Sequence, residues 1–149
     1  FEIGMSNPGE INKLSKLVRP DIGVITNIAE AHIENFKNLK GIAKAKSEII
    51  NNINPGGHIV LNHDDKFYSY LKNIAEKNNI NVVSFGKNFQ SNIQLVNVKK
   101  VKNKFLTTVK IFGEKITTES NNLNTYNNKR DWNNPKGWAN PENFDKFRW

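Results

Sequence analysis

Two hydrophobic periods take turns along the first two thirds of this chain. Ile11, Leu14, Leu17 and Val18 recur at helical spacing behind the turn Asn7-Pro8-Gly9-Glu10 and stop at Arg19-Pro20, which predicts a short helix. The apolar run from Ile22 to Ile28 predicts a strand, and a polar turn holding His32 follows it. Leu39 to Ile53 returns to helical spacing and ends at Asn54-Pro55-Gly56-Gly57. His58 to Leu61 reads as a second strand. Phe67, Leu71 and Ile74 mark a further helix closed at Asn78-Asn79, and Val82, Val83 and Phe85 make one more strand ending at Gly86. Phe1, Glu2 and Ile3 look like the end of a strand that began before the first residue, so an N-terminal truncation is expected.

Strand and helix alternating over short connections predict βαβ units, hence an α/β fold with a mostly parallel sheet flanked by helices on both faces. In such sheets ligands gather beyond the carboxyl ends of the strands. Residues 2–7, 27–36 and 62–65 all follow strands and should lie along that edge. From Ser91 the pattern changes. Ile93 and Leu95, then Phe105, Thr107, Val109 and Ile111, alternate with polar residues on either side of the lysine-rich stretch 99–104, which predicts an antiparallel hairpin with an exposed, lysine-protected turn.

Past about Thr118 neither period survives. That stretch holds Trp132, Trp138 and Trp149 and few aliphatic residues. It fits a disordered tail, a docking segment anchored by tryptophans, or a stretch read in another frame. The expected division is therefore an α/β domain over 1–116 and an irregular tail over 117–149.

Charge changes this picture little. The formal net charge is +8, of which residues 1–90 carry +2 and residues 91–149 carry +6. The excess is mostly lysine, with no arginine cluster or interleaved stacking motif, so nucleic acid is not an expected partner. No cysteine is present, which excludes disulfides, a thiol nucleophile and Cys-ligated zinc. No apolar run approaches a membrane span and no signal segment is visible, so a cytoplasmic location and a monomer are expected.

One position in the second helix needs an explanation. Ile42, Lys46, Ile49 and Ile53 share one stripe, which places Lys46 among apolar residues instead of on the wet face. Glu2 at a strand end and His32 in a post-strand loop are further candidates, and together the three could hold a cation and an anionic ligand. Singly none is specific: a loop histidine is more often a surface or capping residue, and a lysine in a stripe usually snorkels to water.

Order and spacing add what single residues lack. EIGM with NPGEI shortly after, then LVRPDIGVITNIAEAHIENF, then GIAKAKSEI, closely resembles the central ATP-binding domain of the Mur ligases. The similarity covers about residues 1 to 115 and is strongest over 1 to 65. Within the family it looks most like the members that add D-alanyl-D-alanine to the UDP-N-acetylmuramoyl-tripeptide. The resemblance implies a P-loop-type fold and ATP-dependent amide-bond formation for peptidoglycan precursors, with roles in cell shape and cell division. ATP phosphorylates a substrate carboxylate to an acyl phosphate, an amine attacks it, and phosphate leaves, with Mg²⁺ drawing the anionic oxygens together.

By matching motif, Glu2 corresponds to the family's magnesium-binding glutamate and His32 to the loop histidine of the second magnesium. Lys46 corresponds to the lysine that CO₂ carbamylates in several members. Asn27 matches an asparagine that orients the loop or contacts substrate. Asn62, Asp64 and Asp65 match a post-strand N-x-D-D turn, for which a helix-capping role is expected. The family's Gly-Lys-Ser/Thr phosphate loop is not among these 149 residues, nor is its adenine-contacting asparagine motif after Ile116. No nucleotide-binding residue is therefore assigned, and the chain alone is expected to be an inactive fragment of marginal stability. The alternative is a non-catalytic remnant or binding module that uses a divalent-cation site or its Trp-rich tail.

Overall fold

A computed structural model describes residues 1–30 and 33–120. Its elements are α1 (Glu10–Val18), β1 (Ile22–Ile25), α2 (Leu39–Ser47), β2 (His58–Asn62), α3 (Tyr68–Lys77), β3 (Asn81–Gly86), β4 (Ile93–Val101), β5 (Lys104–Ile111) and β6 (Glu114–Ser120). Two short 3-10 turns, Ile33–Asn35 and Glu48–Asn52, flank α2. The six strands form one sheet in the order β1-β2-β3-β4-β5-β6.

β1, β2 and β3 are parallel, with Val24 opposite Val60 and Val60 opposite Val83. β3 and β4 are also parallel, but only at Phe85–Ile93 and Gly86–Gln94. The short connection 87–92 suffices because β4 starts where β3 ends and runs on beyond it. β4, β5 and β6 then form an antiparallel meander. The predicted hairpin is thus its first two strands. Glu114–Ser120 adds a third, joined through Phe112 and Gly113, both at positive φ as a tight two-residue hairpin turn needs. Every residue of β6 is exposed, so it lacked the half-buried alternation that would have revealed it.

The α/β class and the mostly parallel sheet are as expected, but the helices lie on one face. Strands added in the order 1-2-3 all cross over in the same direction, and right-handed crossovers then place their helices on the same side. α1, α2 and α3 pack on one another over that face. There Ile25, Ile59 and Leu61 meet Ile28, Phe36, Ile42, Ala43, Ala45, Ile50, Ile53, Leu71 and Ala75 in one core. Each large aliphatic side chain so enclosed contributes about 2 kcal/mol. On the opposite face Ile22 and Val24 remain 62% and 53% exposed. α1 buries Ile11 and Ser15 but leaves Leu17 83% exposed, so only part of its apolar stripe is used.

The strand expected at Phe1–Ile3 is not formed. Residues 1–5 have no regular structure, and β1 is an edge strand whose one partner among the described residues is β2. A strand needs a neighbour to satisfy its backbone donors and acceptors, and residues 1–5 pair with no strand among the described residues. The tail 121–149, with its three tryptophans, lies outside the described residues.

Candidate functional site

The loop that leaves β1 is held from two sides. α2 begins at Asn38, whose side chain accepts from Gly41 N–H at 3.0 Å, a good N-cap. The helix then packs against α1 and α3, burying Ile42, Ala43 and Ala45. Lys46, one helical turn beyond Ile42, is carried toward the carboxyl end of β1. There its Nζ donates to the Asn27 carbonyl at 2.7 Å. Lys46 is half-buried, and that burial lowers its pKa below the ordinary lysine value, while the Asp65 charge offsets part of the effect. The stripe position of Lys46 is thus explained by its partner: the amine crosses apolar surface to reach a carbonyl.

The second side is the turn after β2. Asn62 Nδ2 donates to Thr26 O at 3.2 Å, and Asp65 Oδ2 accepts from Ile28 N–H at 2.8 Å. Asp65 Oδ1 accepts from Phe67 N–H at 2.8 Å, which holds the start of α3. Asp64 faces the other way. Its two carboxylate oxygens accept from Lys87 N–H at 2.6 Å and Asn88 N–H at 3.0 Å in the β3–β4 connection.

The capping role expected for these three residues is therefore only one of Asp65's two bonds. Their larger role is to tie the turn after β2 to the loops after β1 and β3. Two adjacent aspartates where a cap needs only one side chain were the available signal.

Of the four predicted site residues, the structure brings Lys46 and Asn27 together. The contact uses the Asn27 main chain, and the residue itself is exposed. Glu2 lies in the irregular N-terminal segment and is exposed, and no hydrogen bond or ion pair joins it to Asn27 or Lys46. His32 lies outside the described residues. No group of three His, Cys, Asp or Glu side chains that would hold a metal forms among the described residues. A polar cleft of about 660 Å³ opens along α3 and is lined by His63, Tyr68, Lys72, Ser84 and Asn92, away from Lys46 and Asn27.

A second carboxylate, Glu48 in the 3-10 turn after α2, accepts from Gly9 N–H at 2.9 Å and Asn12 N–H at 3.0 Å. These are orphan donors at the start of α1, whose own N-cap residue Gly9 has no side chain to accept them. The same turn sends Asn52 Nδ2 to Asn12 Oδ1 and Ser15 Oγ, each at 2.9 Å. Nothing in the local sequence marks this cap, because donor and acceptor lie far apart in the chain.

Comparison with known proteins adds what the geometry alone does not carry. The Mur ligase middle domain matches residues 1–129. The UDP-N-acetylmuramoyl-tripeptide--D-alanyl-D-alanine ligase of Buchnera aphidicola subsp. Acyrthosiphon pisum (strain APS) is 40% identical over 99 residues, covering 66% of this chain. This chain spans 22% of that relative's length. Among solved structures, MurF from Acinetobacter baumannii superposes with a TM-score of 0.70 at 26% identity, over 78% of this chain and 25% of that one. MurF from Thermotoga maritima in complex with ADP gives 0.68 at 25% identity, over 79% and 26%. Taken with the sheet and the loop that Lys46 closes, these matches mean that the chain belongs to the Mur ligase family and carries its middle domain.

Proposed function

We propose that this chain is the central part of an ATP-dependent ligase that joins D-alanyl-D-alanine to a UDP-N-acetylmuramoyl-tripeptide in peptidoglycan precursor synthesis. The observation that carries the reading is Lys46, held on the Asn27 carbonyl at the carboxyl end of β1 in a chain whose first 129 residues match the Mur ligase middle domain. The names of the relatives support the substrates, and the ADP complex of the Thermotoga maritima protein supports ATP.

In this reading the tripeptide carboxylate attacks the γ-phosphorus of ATP, giving an acyl phosphate and ADP. The amine of D-alanyl-D-alanine then adds to the acyl carbon, and phosphate leaves with the former carboxylate oxygen. The difficulty is the approach of several anionic oxygens, which aimed donors and cations relieve. Lys46 serves that end directly as a partly desolvated cation or, after reaction with CO₂, indirectly, as a carbamate whose two oxygens would help position a metal cation. Asn27 sets the position of the Lys46 amine through its carbonyl. Mg²⁺ belongs to the proposal as the cation of the site, with Glu2 and His32 as the residues that would hold it. The setting is the cytoplasm, where UDP-linked precursors are soluble, and the ligase works as a monomer in cell-wall growth and division.

The 149 residues contain no Gly-Lys-Ser/Thr loop to hold ATP phosphates, so the chain alone is expected to give no product. The test is a chimera in which residues 1–120 replace the matching quarter of Acinetobacter baumannii MurF. Supplied with the tripeptide, the dipeptide and ATP, the chimera should form the amide. Lys46→Ala should lower its kcat by about two orders of magnitude, the scale for losing one aimed electrostatic group. A folded chimera that makes no amide, or that keeps full activity without Lys46, would overturn the reading.

A further inference from the structure

We propose that Asp65 is a positioning residue for Lys46, acting through the peptide group that joins Asn27 to Ile28. Lys46 Nζ donates to the carbonyl of that group at 2.7 Å, and Asp65 Oδ2 accepts from its N–H at 2.8 Å. A trans peptide group is planar, with C=O and N–H pointing in opposite directions. Fixing the N–H end therefore fixes where the carbonyl stands, and with it the acceptor that holds the lysine. The two side chains arrive from different elements, Lys46 from α2 and Asp65 from the turn after β2, so the peptide group is gripped from both sides.

Asp65 is itself anchored. Its Oδ1 accepts from Phe67 N–H at 2.8 Å and its main-chain carbonyl accepts from Tyr68 N–H at 2.9 Å. A capping aspartate needs only the Phe67 bond. The second oxygen reaches back across the sheet edge to Ile28, a long-range contact that capping does not require. Asn62 Nδ2 adds a parallel tether at Thr26 O, 3.2 Å away. The loop after β1 is thus bound at two nearby points by one turn.

The inference rests on the proposed ligase reading only for what Lys46 is used for. In that reading the neutral amine adds to CO₂: the nitrogen lone pair forms the N–C bond, one C=O electron pair moves onto oxygen, and one N–H proton leaves to solvent. The product carbamate keeps a single N–H and is planar. That N–H can still donate to the Asn27 carbonyl, so a carbonyl held still by Asp65 would fix the plane of the carbamate and the direction of its two oxygens. With the carbonyl loose, the same group would sweep through a range of orientations, and its oxygens would position a cation less productively.

The test uses the 149-residue chain and two readouts: amide hydrogen exchange at Ile28 by NMR, and competitive acetylation of Lys46 against Lys44 on the same helix by mass spectrometry. Asp65→Ala should speed Ile28 exchange about tenfold or more, as expected for losing a hydrogen bond to a charged acceptor. It should also raise Lys46 labelling relative to Lys44. Asp65→Asn, which keeps one oxygen acceptor for the two N–H groups, should restore part of the Ile28 protection. Asp64→Ala, which cuts the tether to the β3–β4 connection, should leave both readouts where they were.

Should Asp65→Ala fail to fold, Asp65→Ser keeps a capping oxygen for Phe67 but is too short to reach Ile28, and it should give the same two changes. Unchanged Ile28 exchange and Lys46 labelling in the folded variant, or equal changes in Asp64→Ala, would overturn the proposal. Neither readout needs ATP or product. Failure of the ligase reading therefore leaves this test intact, and failure here leaves the ligase reading standing.

Discussion

Asp64 stands directly behind Gly86: a Cβ built on Gly86 would lie 2.8 Å from Asp64 Oδ2. Gly86 also has φ +156, a value that L-residues rarely adopt. The carboxylate has little room to retreat, because it accepts two main-chain N–H bonds from residues 87 and 88. Gly86→Ala should therefore destabilise the chain by about 1–3 kcal/mol, from backbone strain and a displaced acceptor together. Urea denaturation checks it. Part of the cost should vanish in an Asp64→Ala background, where the clash is gone, so the two substitutions should be less than additive.

Removing the Glu48 carboxylate leaves Gly9 N–H and Asn12 N–H without their acceptor. Glu48→Ala should cost about 1–2 kcal/mol, the usual range for a lost helix cap. Glu48→Gln, which keeps one acceptor oxygen, should recover part of it. Equal thermal midpoints for Glu48→Ala and the parent chain would show that the cap contributes nothing.

β1 is an edge strand, and its Ile22 and Val24 are exposed on the helix-free face. An edge with apolar side chains invites pairing between copies. The isolated chain should associate as its concentration rises. Val24→Lys should suppress that association with a stability change within about 0.5 kcal/mol, since Val24 is already exposed. Sedimentation velocity over a range of concentrations reads the first effect and urea denaturation the second. A concentration-independent monomer before the substitution would refute the prediction.

The Lys46 pKa has a consequence for stability. Burial lowers it in the folded state below its ordinary value of 10.5, so between those two values the unfolded chain binds more protons than the folded one. Stability must then rise with pH through that window. The cost of holding a buried ammonium is fully present below the folded pKa and is gone above 10.5. Lys46→Met should lack this rise, so the difference in thermal midpoint between parent and variant should shift in the parent's favour as pH climbs. Parallel pH profiles for the two proteins would contradict the assignment.

Lys46 was legible from its stripe position, because helical periodicity alone says which residues share a face. The turn 62–65 was legible as a turn, but its work was not. The partners of Asp64 and Asp65 are main-chain N–H groups on neighbouring loops, and which loops are neighbours depends on strand order. Strand order also decided that the helices share one face, and a pattern of alternating elements does not specify it. β6 was missed because all its residues are wet. Phe1 to Ile3 was read as strand from its apolar ends, although a strand also requires a partner to pair with.

The most direct test of the account is the protonation of Lys46, followed through its side-chain ¹³Cε resonance as the folded chain is titrated and compared with the urea-unfolded chain. A half-buried amine resting on the Asn27 carbonyl predicts a midpoint below that of the unfolded chain. A midpoint equal to the unfolded value would mean that Lys46 lies in water, and one above it that the Asp65 charge outweighs burial; either would contradict the account.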